Sequence, residues 1–280
     1  MLKDKTIIFI GAGSMAEAMI AGMVAQQKLI PQQITAVNRS NTDRRKNLAE
    51  QYGIRTAALE DAKIAEADVI VLAVKPKDAE SVLEAIKADV HSKQLILSVL
   101  AGISSAYIAE ILTAEQPVIR VMPNTSSTIG ESATAIAKGQ HAAAEHMALA
   151  EALLDSIGSV NRIEEEQMDV FTGIAGSGPA YIYYLVEQME KAGQENGLDA
   201  RLAREIAVQT IFGASRMLME TDESPEALRK KVTSPNGTTA AGLTALQENG
   251  GGAAIKAAIE SAAARSRELS EEFEKLPVRS

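Results

Sequence analysis

The sequence predicts an α/β protein in two parts: a doubly wound N-terminal domain over residues 1–163 and an all-α C-terminal domain over residues 164–280. Three observations lead there. Short β-rich runs alternate with helical ones as far as Ile163, which implies a mostly parallel sheet covered on both faces. A glycine turn, "GAGSMA", joins the first strand-like run directly to the first helical one. Beyond Glu164 the strand-like runs stop, and apolar positions recur at helical spacing almost to the end.

In order, the strands are "KTIIFI", "QITAV", "IRTA", "DVIVLAV", "QLILSVL" and "PVIRVM", rich in β-branched and aliphatic residues. "SATAIAK" and "GSVNRI" extend the sheet and flank a helix over "AAAEHMALAEALLDSI". Right-handed crossovers then place ligands outside the carboxyl ends of the strands. The second part is read as helices over "AYIYYLVEQMEKAGQENG", "ARLAREIAVQTIFGASRMLME", "SPEALRKKV" and "AAIKAAIESAAARSRELSEEF". Ala, Met and Ile on more than one side give these helices more apolar surface than a solitary bundle buries, so part of it is predicted to be a subunit interface. The stretch from Glu274 to Ser280 has no pattern and is expected to fray.

At 280 residues and 46% hydrophobic content the chain can furnish real cores. No apolar run approaches the roughly 18–20 residues of a membrane span, and the residues before the first strand do not resemble a signal segment. A cytoplasmic protein is expected. There is no cysteine, so disulfides, thiolate metal sites and cysteine nucleophiles are excluded. His91, His141 and His146 are not spaced for a shared helical face; they read as solvated residues, and no metal site is predicted. A net charge of −9 argues against nucleic acid or an anionic membrane as partner. An anionic small molecule would need a local basic patch.

"GAGSMA" fits G-x-G-x-x-G/A, with Gly11, Ala12, Gly13, Ser14 and Met15 at the turn and Ala16 in the third glycine position. Because it follows a strand and opens a helix, first-turn amides would point at a bound phosphate, making the domain Rossmann-type. At the end of the second strand, where a carboxylate usually meets the ribose of NAD, stand Asn38, Arg39 and Ser40. Arg39, Arg44, Arg45 and Lys46 against Asp43 give a local charge of +3. That favours NADP(H), with NAD(H) a weaker alternative; the other reading leaves Arg44 to Lys46 as a solvated helix start. After the fourth strand, Ala73, Val74, Lys75 and Pro76 would add an apolar edge and a charge, or simply start a helix. After the sixth, Met122, Pro123 and Asn124 lead "MPNTSS", whose amide and hydroxyls could meet a nicotinamide carboxamide.

Taken together, "GAGSMA", "NRS", "AVKP", "MPNT", "GSGPAY" and "SPNGTTAAGL" resemble, in order and spacing, the pyrroline-5-carboxylate reductases. The resemblance covers almost the whole chain, and "VTSPNGTTAAGLTALQENG" is its most specific part. It implies NAD(P)H-dependent reduction of 1-pyrroline-5-carboxylate to L-proline, the last step of proline biosynthesis. It also implies a dimer with intertwined helical domains, often assembled into a decamer. Departures are Ser126 for a proline, Ala175 for a serine, and Glu60 and Asp61 near a usual asparagine. The first two remove no assigned group; the third leaves a ribose contact unassigned.

The residues suit a cyclic imine carrying a carboxylate. Ser234, Asn236, Gly237 and Thr238 form a turn into a helix, so backbone amides converge on a carboxylate. Gly176, Ser177, Gly178 and Pro179 are small enough to let a ring lie flat. By residue matching, Thr239 looks like the family's threonine whose hydroxyl meets the imine nitrogen, and it is the one catalytic candidate. A protonated imine is already electrophilic, so orientation matters more than a strong acid. A β-hydroxyacid dehydrogenase would need a lysine where Ile182 stands. A reductase of another imine, or a non-catalytic NADP-binding paralogue, would be expected to lack the complete "SPNGTT" turn.

Overall fold

The computed structural model describes residues 2–113 and 115–274. Eight strands form one sheet: β1 Ile7–Ile10, β2 Ile34–Val37, β3 Arg55–Ala57, β4 Val69–Leu72, β5 Leu95–Ser98, β6 Val118–Met122, β7 Ser132–Lys138 and β8 Gly158–Arg162. Their order is β3-β2-β1-β4-β5-β6-β7-β8. The chain leaves β1 in one direction and returns as β4 on its other side, which creates the switch point where such sheets bind ligands. All neighbouring pairs are parallel except β6 with β7. Between those two, residues 123–131 are too few for a parallel crossover, so the strand turns back antiparallel.

Strand residues alternate between two buried clusters. Ile7, Phe9, Val69, Val71, Leu95 and Leu97 face one side, and Ile8, Ile10, Ile70, Leu72 and Ile96 the other. Helices α1 Ser14–Ala25, α2 Thr42–Tyr52, α3 Ala79–Ile86, α4 Ser105–Leu112 and α5 Ala144–Leu154 cover them. Met19, Ile20 and Met23 of α1 and Leu153 and Leu154 of α5 join the first cluster. Leu83 and Ile86 of α3 and Ile108 and Ile111 of α4 join the second. Apolar burial on both faces explains the near-continuous hydrophobic strands.

Six helices follow: α6 Met168–Phe171, α7 Gly178–Glu195, α8 Ala200–Glu220, α9 Pro225–Lys231, α10 Thr238–Glu248 and α11 Gly251–Glu274. Contacts divide the chain into two compact units, one holding Met1–Ser177 and the stretch from Ser261 on, the other Gly178–Glu260. The division thus falls later than the change from strands to helices at Glu164. Met168 of α6 is buried with Ala135 and Ala137 of β7, and Ser266 of α11 donates to Asp169 at 2.7 Å. Those contacts hold α6 and the end of α11 to the sheet.

In Gly178–Glu260, α7 and α8 form a helical hairpin through residues 196–199, with Asp199 capping α8. Arg204 pairs with Glu190 across it at 2.8 Å. Among the described residues of this unit only Ala203 and Ala207 are buried apolar side chains. Fifteen of the nineteen large apolar residues exposed among the described residues lie here, Ile206, Phe212 and Met219 among them, so the unit has little core of its own. Lys275 to Ser280, most of the tail expected to fray, lie outside the described residues.

Candidate active site

The glycine turn closes the carboxyl end of β1. Gly11 has φ +105, and a Cβ there would run into the Ala73 carbonyl, so only glycine lets the β1 and β4 ends meet. Its amide donates to Val37 at 3.0 Å, and the Ala73 amide to Ile10 at 2.8 Å. The turn therefore joins the ends of β1, β2 and β4. Gly13, exposed at the start of α1, has nothing within 4 Å of a would-be Cβ. No side chain caps α1, so its first-turn amides at Ser14 and Met15 remain available to an anion. A backbone stripped of side chains beside free amides fits a dinucleotide pyrophosphate.

Next to it lies a cavity of about 310 Å³ that gathers Gly11, Asn38, Arg39, Ser40 and Val74. Leu59 and Val82 add apolar wall that the sequence reading missed. Arg39 is exposed and makes no bond to another described residue. The side chain of Asn38 shapes the loop, its oxygen accepting from Ser40 at 3.3 Å and Asn41 at 2.9 Å. The other three cations of the expected basic patch are engaged. Arg44 donates to the Ala12 carbonyl at 2.8 Å and pairs with Glu17; Arg45 donates to the Asn38 carbonyl at 3.2 Å; Lys46 is 3.8 Å from Glu50. Because α2 begins at Thr42, its first turn points Arg44 back at the glycine turn, which leaves Arg39 as the cation of this patch without a bond to another described residue. Partial burial pushes the Tyr52 phenol above its ordinary value, and its bond to Glu17 pushes it further. It stays a donor at neutral pH.

The remaining candidates stand apart from that cavity. Lys75 is exposed and Pro76 opens a short helical turn, Pro76–Asp78, as proline does at a first helical position. Met122 packs with Ala135, Ala137 and Met168, and Pro123 is buried. Asn124 differs from expectation. Its side chain is buried, accepting from Ser126 and donating to the Ala175 carbonyl, both at 3.0 Å, so it braces the chain instead of presenting its amide to a carboxamide.

Asn124 thereby fixes a π-helical turn, Thr172–Gly176, in which Ser177 donates to Thr172 at 2.8 Å. Such wide turns recur at functional sites. The division between the compact units runs through the small-residue segment: Gly176 and Ser177 belong to one, Gly178 and Pro179 to the other.

The second glycine-bearing turn is Ser234–Gly237. Gly237 donates to the Ser234 carbonyl at 3.1 Å, with Pro235 second and Asn236 third at φ +60, the pattern of a type II turn. A Cβ on Gly237 would strike the Ser234 hydroxyl. Helix α10 starts immediately at Thr238 with no side-chain cap, and its first return bond runs from Ala241 to Gly237. The amides of Thr238 and Thr239 thus lie in an unpaired first turn, with Thr239 half-buried beside them. Among the described residues no cluster of three or more His, Asp or Glu could hold a metal ion.

Comparison with known proteins follows these features along the chain. Residues 165–269 match the family described as pyrroline-5-carboxylate reductase dimerisation, and residues 6–102 that described as NADP oxidoreductase, coenzyme F420-dependent. Pyrroline-5-carboxylate reductase 1 of Bacillus subtilis is 58% identical over 97% of this chain and 92% of its own. Among solved structures, a pyrroline-5-carboxylate reductase from Coxiella burnetii superposes with TM-score 0.89 at 33% identity, covering 95% of this chain and 98% of that one. The Plasmodium falciparum pyrroline carboxylate reductase, solved with NADP bound, gives 0.85 at 28% identity, covering 96% and 100%.

Proposed function

The chain belongs to the pyrroline-5-carboxylate reductase family, and on that premise we propose how its own residues serve the reaction. It is an oxidoreductase that uses NADP(H) and reduces 1-pyrroline-5-carboxylate to L-proline. The observation that carries our reading is the pair of uncapped helix starts, α1 behind Gly11–Gly13 and α10 behind Ser234–Gly237. The first suits a pyrophosphate and the second a substrate carboxylate.

NADPH supplies the hydride when bound. The amides from Ala12 to Met15 hold its pyrophosphate, Arg39 and Ser40 its 2′-phosphate, and Val74 flanks it; NADH is accepted more weakly. Lys75 and Pro76 would border this part, and Met122, Pro123 and Asn124 would stand toward its nicotinamide end, with Asn124 bracing the π turn. Ser234, Asn236, Gly237 and Thr238 hold the carboxylate, and the small residues Gly176 to Pro179 leave room for the ring. Thr239 keeps its hydroxyl on the nitrogen of the imine, which enters already protonated, so that a hydride added to the carbon would leave the neutral amine of L-proline. No strong acid is required of the chain.

Residues 1–163 serve as the nucleotide-binding part and 164–280 as the substrate-binding and dimerising part. Exposed apolar residues on α7 and α8 support a homodimer. By the family resemblance the homodimer is a unit of a decamer and works in the cytoplasm. No helix among the described residues is long and apolar enough to cross a membrane. The test is NADPH oxidation by the purified protein with pyrroline-5-carboxylate, a carboxylate-free cyclic imine, and NADH in parallel. Fast turnover that needs the carboxylate and prefers NADPH is expected. Equal rates on the carboxylate-free imine would remove Ser234–Thr239 as the carboxylate site.

A further inference from the structure

We propose that Arg44 is a positioning residue for the cofactor, acting through the Ala12–Gly13 peptide and not on a phosphate. The proposal rests on the reading that the Gly11–Met15 turn holds the pyrophosphate. Arg44 Nε donates to the Ala12 carbonyl at 2.8 Å while Nη2 is held by Glu17. The other Glu17 oxygen accepts from the Tyr52 hydroxyl at 3.1 Å, so α1, α2 and the glycine turn share one network. Arg44 and Glu17 are each about a quarter exposed, 26% for both side chains, which shields the pair partly from water.

Peptide geometry gives this network a purpose. The peptide bonds are trans, and in a trans peptide the carbonyl and the following N–H point in opposite directions. Holding the Ala12 oxygen toward α2 therefore aims the Gly13 N–H away from α2. There Gly13 is exposed, with open space where a Cβ would stand. A cationic donor on the carbonyl also polarises the same peptide, making its N–H a stronger donor to an anion. A glycine-rich turn without this tie can rotate that peptide freely, and anion binding would have to order it.

Glu17 meanwhile pairs with Arg44 at Nη2, so a 2′-phosphate beside the same guanidinium would meet the carboxylate's charge. Two nearby arginines thus divide the work. Arg39, exposed in the cavity, distinguishes NADPH from NADH. Arg44 serves both cofactors equally, because the pyrophosphate is common to them.

Dissociation constants for NADPH and NADH, with KM, kcat and the melting temperature of the cofactor-free protein, test this in Arg44→Ala, Arg44→Lys and Arg39→Ala. Arg44→Ala is expected to weaken both cofactors alike, about 10-fold, as for losing a hydrogen bond to a charged group, with kcat at saturation unchanged. Arg44→Lys keeps the charge and one donor and recovers part of the loss; if the alanine variant does not fold, it still carries the comparison. Arg39→Ala weakens NADPH alone. A loss confined to NADPH in the Arg44 variants, or no loss for either cofactor, overturns the proposal. Gly13→Val separates the underlying reading. Gly13 has φ −74 and room for a side chain, so the variant folds, yet it blocks the pyrophosphate. Unchanged binding of both cofactors to Gly13→Val would sink the turn assignment itself, whatever the Arg44 variants do.

Discussion

In the α/β unit, β1, β4 and β5 send alternate side chains into two buried clusters, and the glycine turn is braced by Arg44 from a neighbouring helix. In Gly178–Glu260 two alanines are buried, fifteen large apolar residues stand exposed, and the Ser234–Gly237 turn is held mainly by its own internal bond. The α/β unit has its core and its anion cradle completed by residues of the same chain. The helical unit has neither. Hydrophobic stabilisation scales with area removed from water, so helices this bare are stable only against further apolar surface. In the proposed homodimer a second copy of the chain would supply that surface.

A charge on the bare face should break the comparison most visibly. Ile206→Asp would bury a carboxylate between apolar helices, a penalty of several kcal/mol that weakens association roughly 1,000-fold or more. Light scattering at micromolar concentration should find monomers. NADPH should still bind within about 3-fold of the parent affinity while turnover falls at least 100-fold, because the cradle lies in the unit that has its own buried core. Ile129→Asp, at an exposed apolar position of the α/β unit, should change neither property. An Ile206→Asp protein that stays dimeric and fully active would refute the idea that this face is an interface.

Thr239→Ala sharpens the contrast on the chemical side. It deletes one hydroxyl from the first turn of α10 and leaves the amides, so kcat should drop about 10 to 100-fold, the scale for a positioned proton partner. KM for NADPH should not move. A loss of NADPH affinity instead would mean that Thr239 acts on the cofactor, and an unchanged kcat would remove it from the mechanism.

The central strands β1, β4 and β5 are legible because buried parallel strands need nearly continuous aliphatic runs, whereas the edge strands β3, "RTA", and β8, "GSVNR", are partly exposed and are read mainly from their place in the alternation. One glycine position is legible too: Gly11 is forced by the Ala73 carbonyl and its positive φ, while at Gly237 a Cβ would have to displace the Ser234 hydroxyl. Side-chain direction was not. Arg44 looked like part of a phosphate patch because charge can be counted from a sequence, whereas the facing of the first turn of α2 toward Ala12 depends on helix–sheet packing. Asn124 likewise sat in the right motif but turns inward to Ala175, a partner far along the chain. Leu59 has a readable signal, an apolar residue just past the end of β3, whereas Val82 reaches the cavity from within α3 and depends on how that helix packs. The return of α11 to the sheet had none, since it rests on long-range contacts such as Ser266 with Asp169.

The smallest predicted effect tests whether the α/β unit's stability can be altered without touching its cradle. Asp68 precedes β4 at the amino edge of the sheet, opposite the glycine turn, and accepts from Lys5 and the Thr6 amide at 2.8 Å and from the Thr6 hydroxyl at 3.1 Å. Burial alone would raise its pKa, but these donors and the Lys5 charge together hold the carboxyl below its ordinary value. A depressed folded pKa means stability that is present above the unfolded value and is lost as pH falls through the folded one. Asp68→Asn should therefore be less stable than the parent at pH 7, by about 0.5–1 kcal/mol given that both partners are partly solvated. The difference should shrink as pH falls below about 4, where the unfolded chain's carboxylate takes up a proton while the folded one, held lower, takes it up later. Denaturant titrations of both proteins at pH 7 and pH 3, at one protein concentration, measure it. NADPH affinity should be equal in the two, since the substitution lies at the other end of the strands. A deficit that persisted at pH 3 would make Asp68 a packing residue, and a change in NADPH affinity would mean that the two ends of the sheet are coupled.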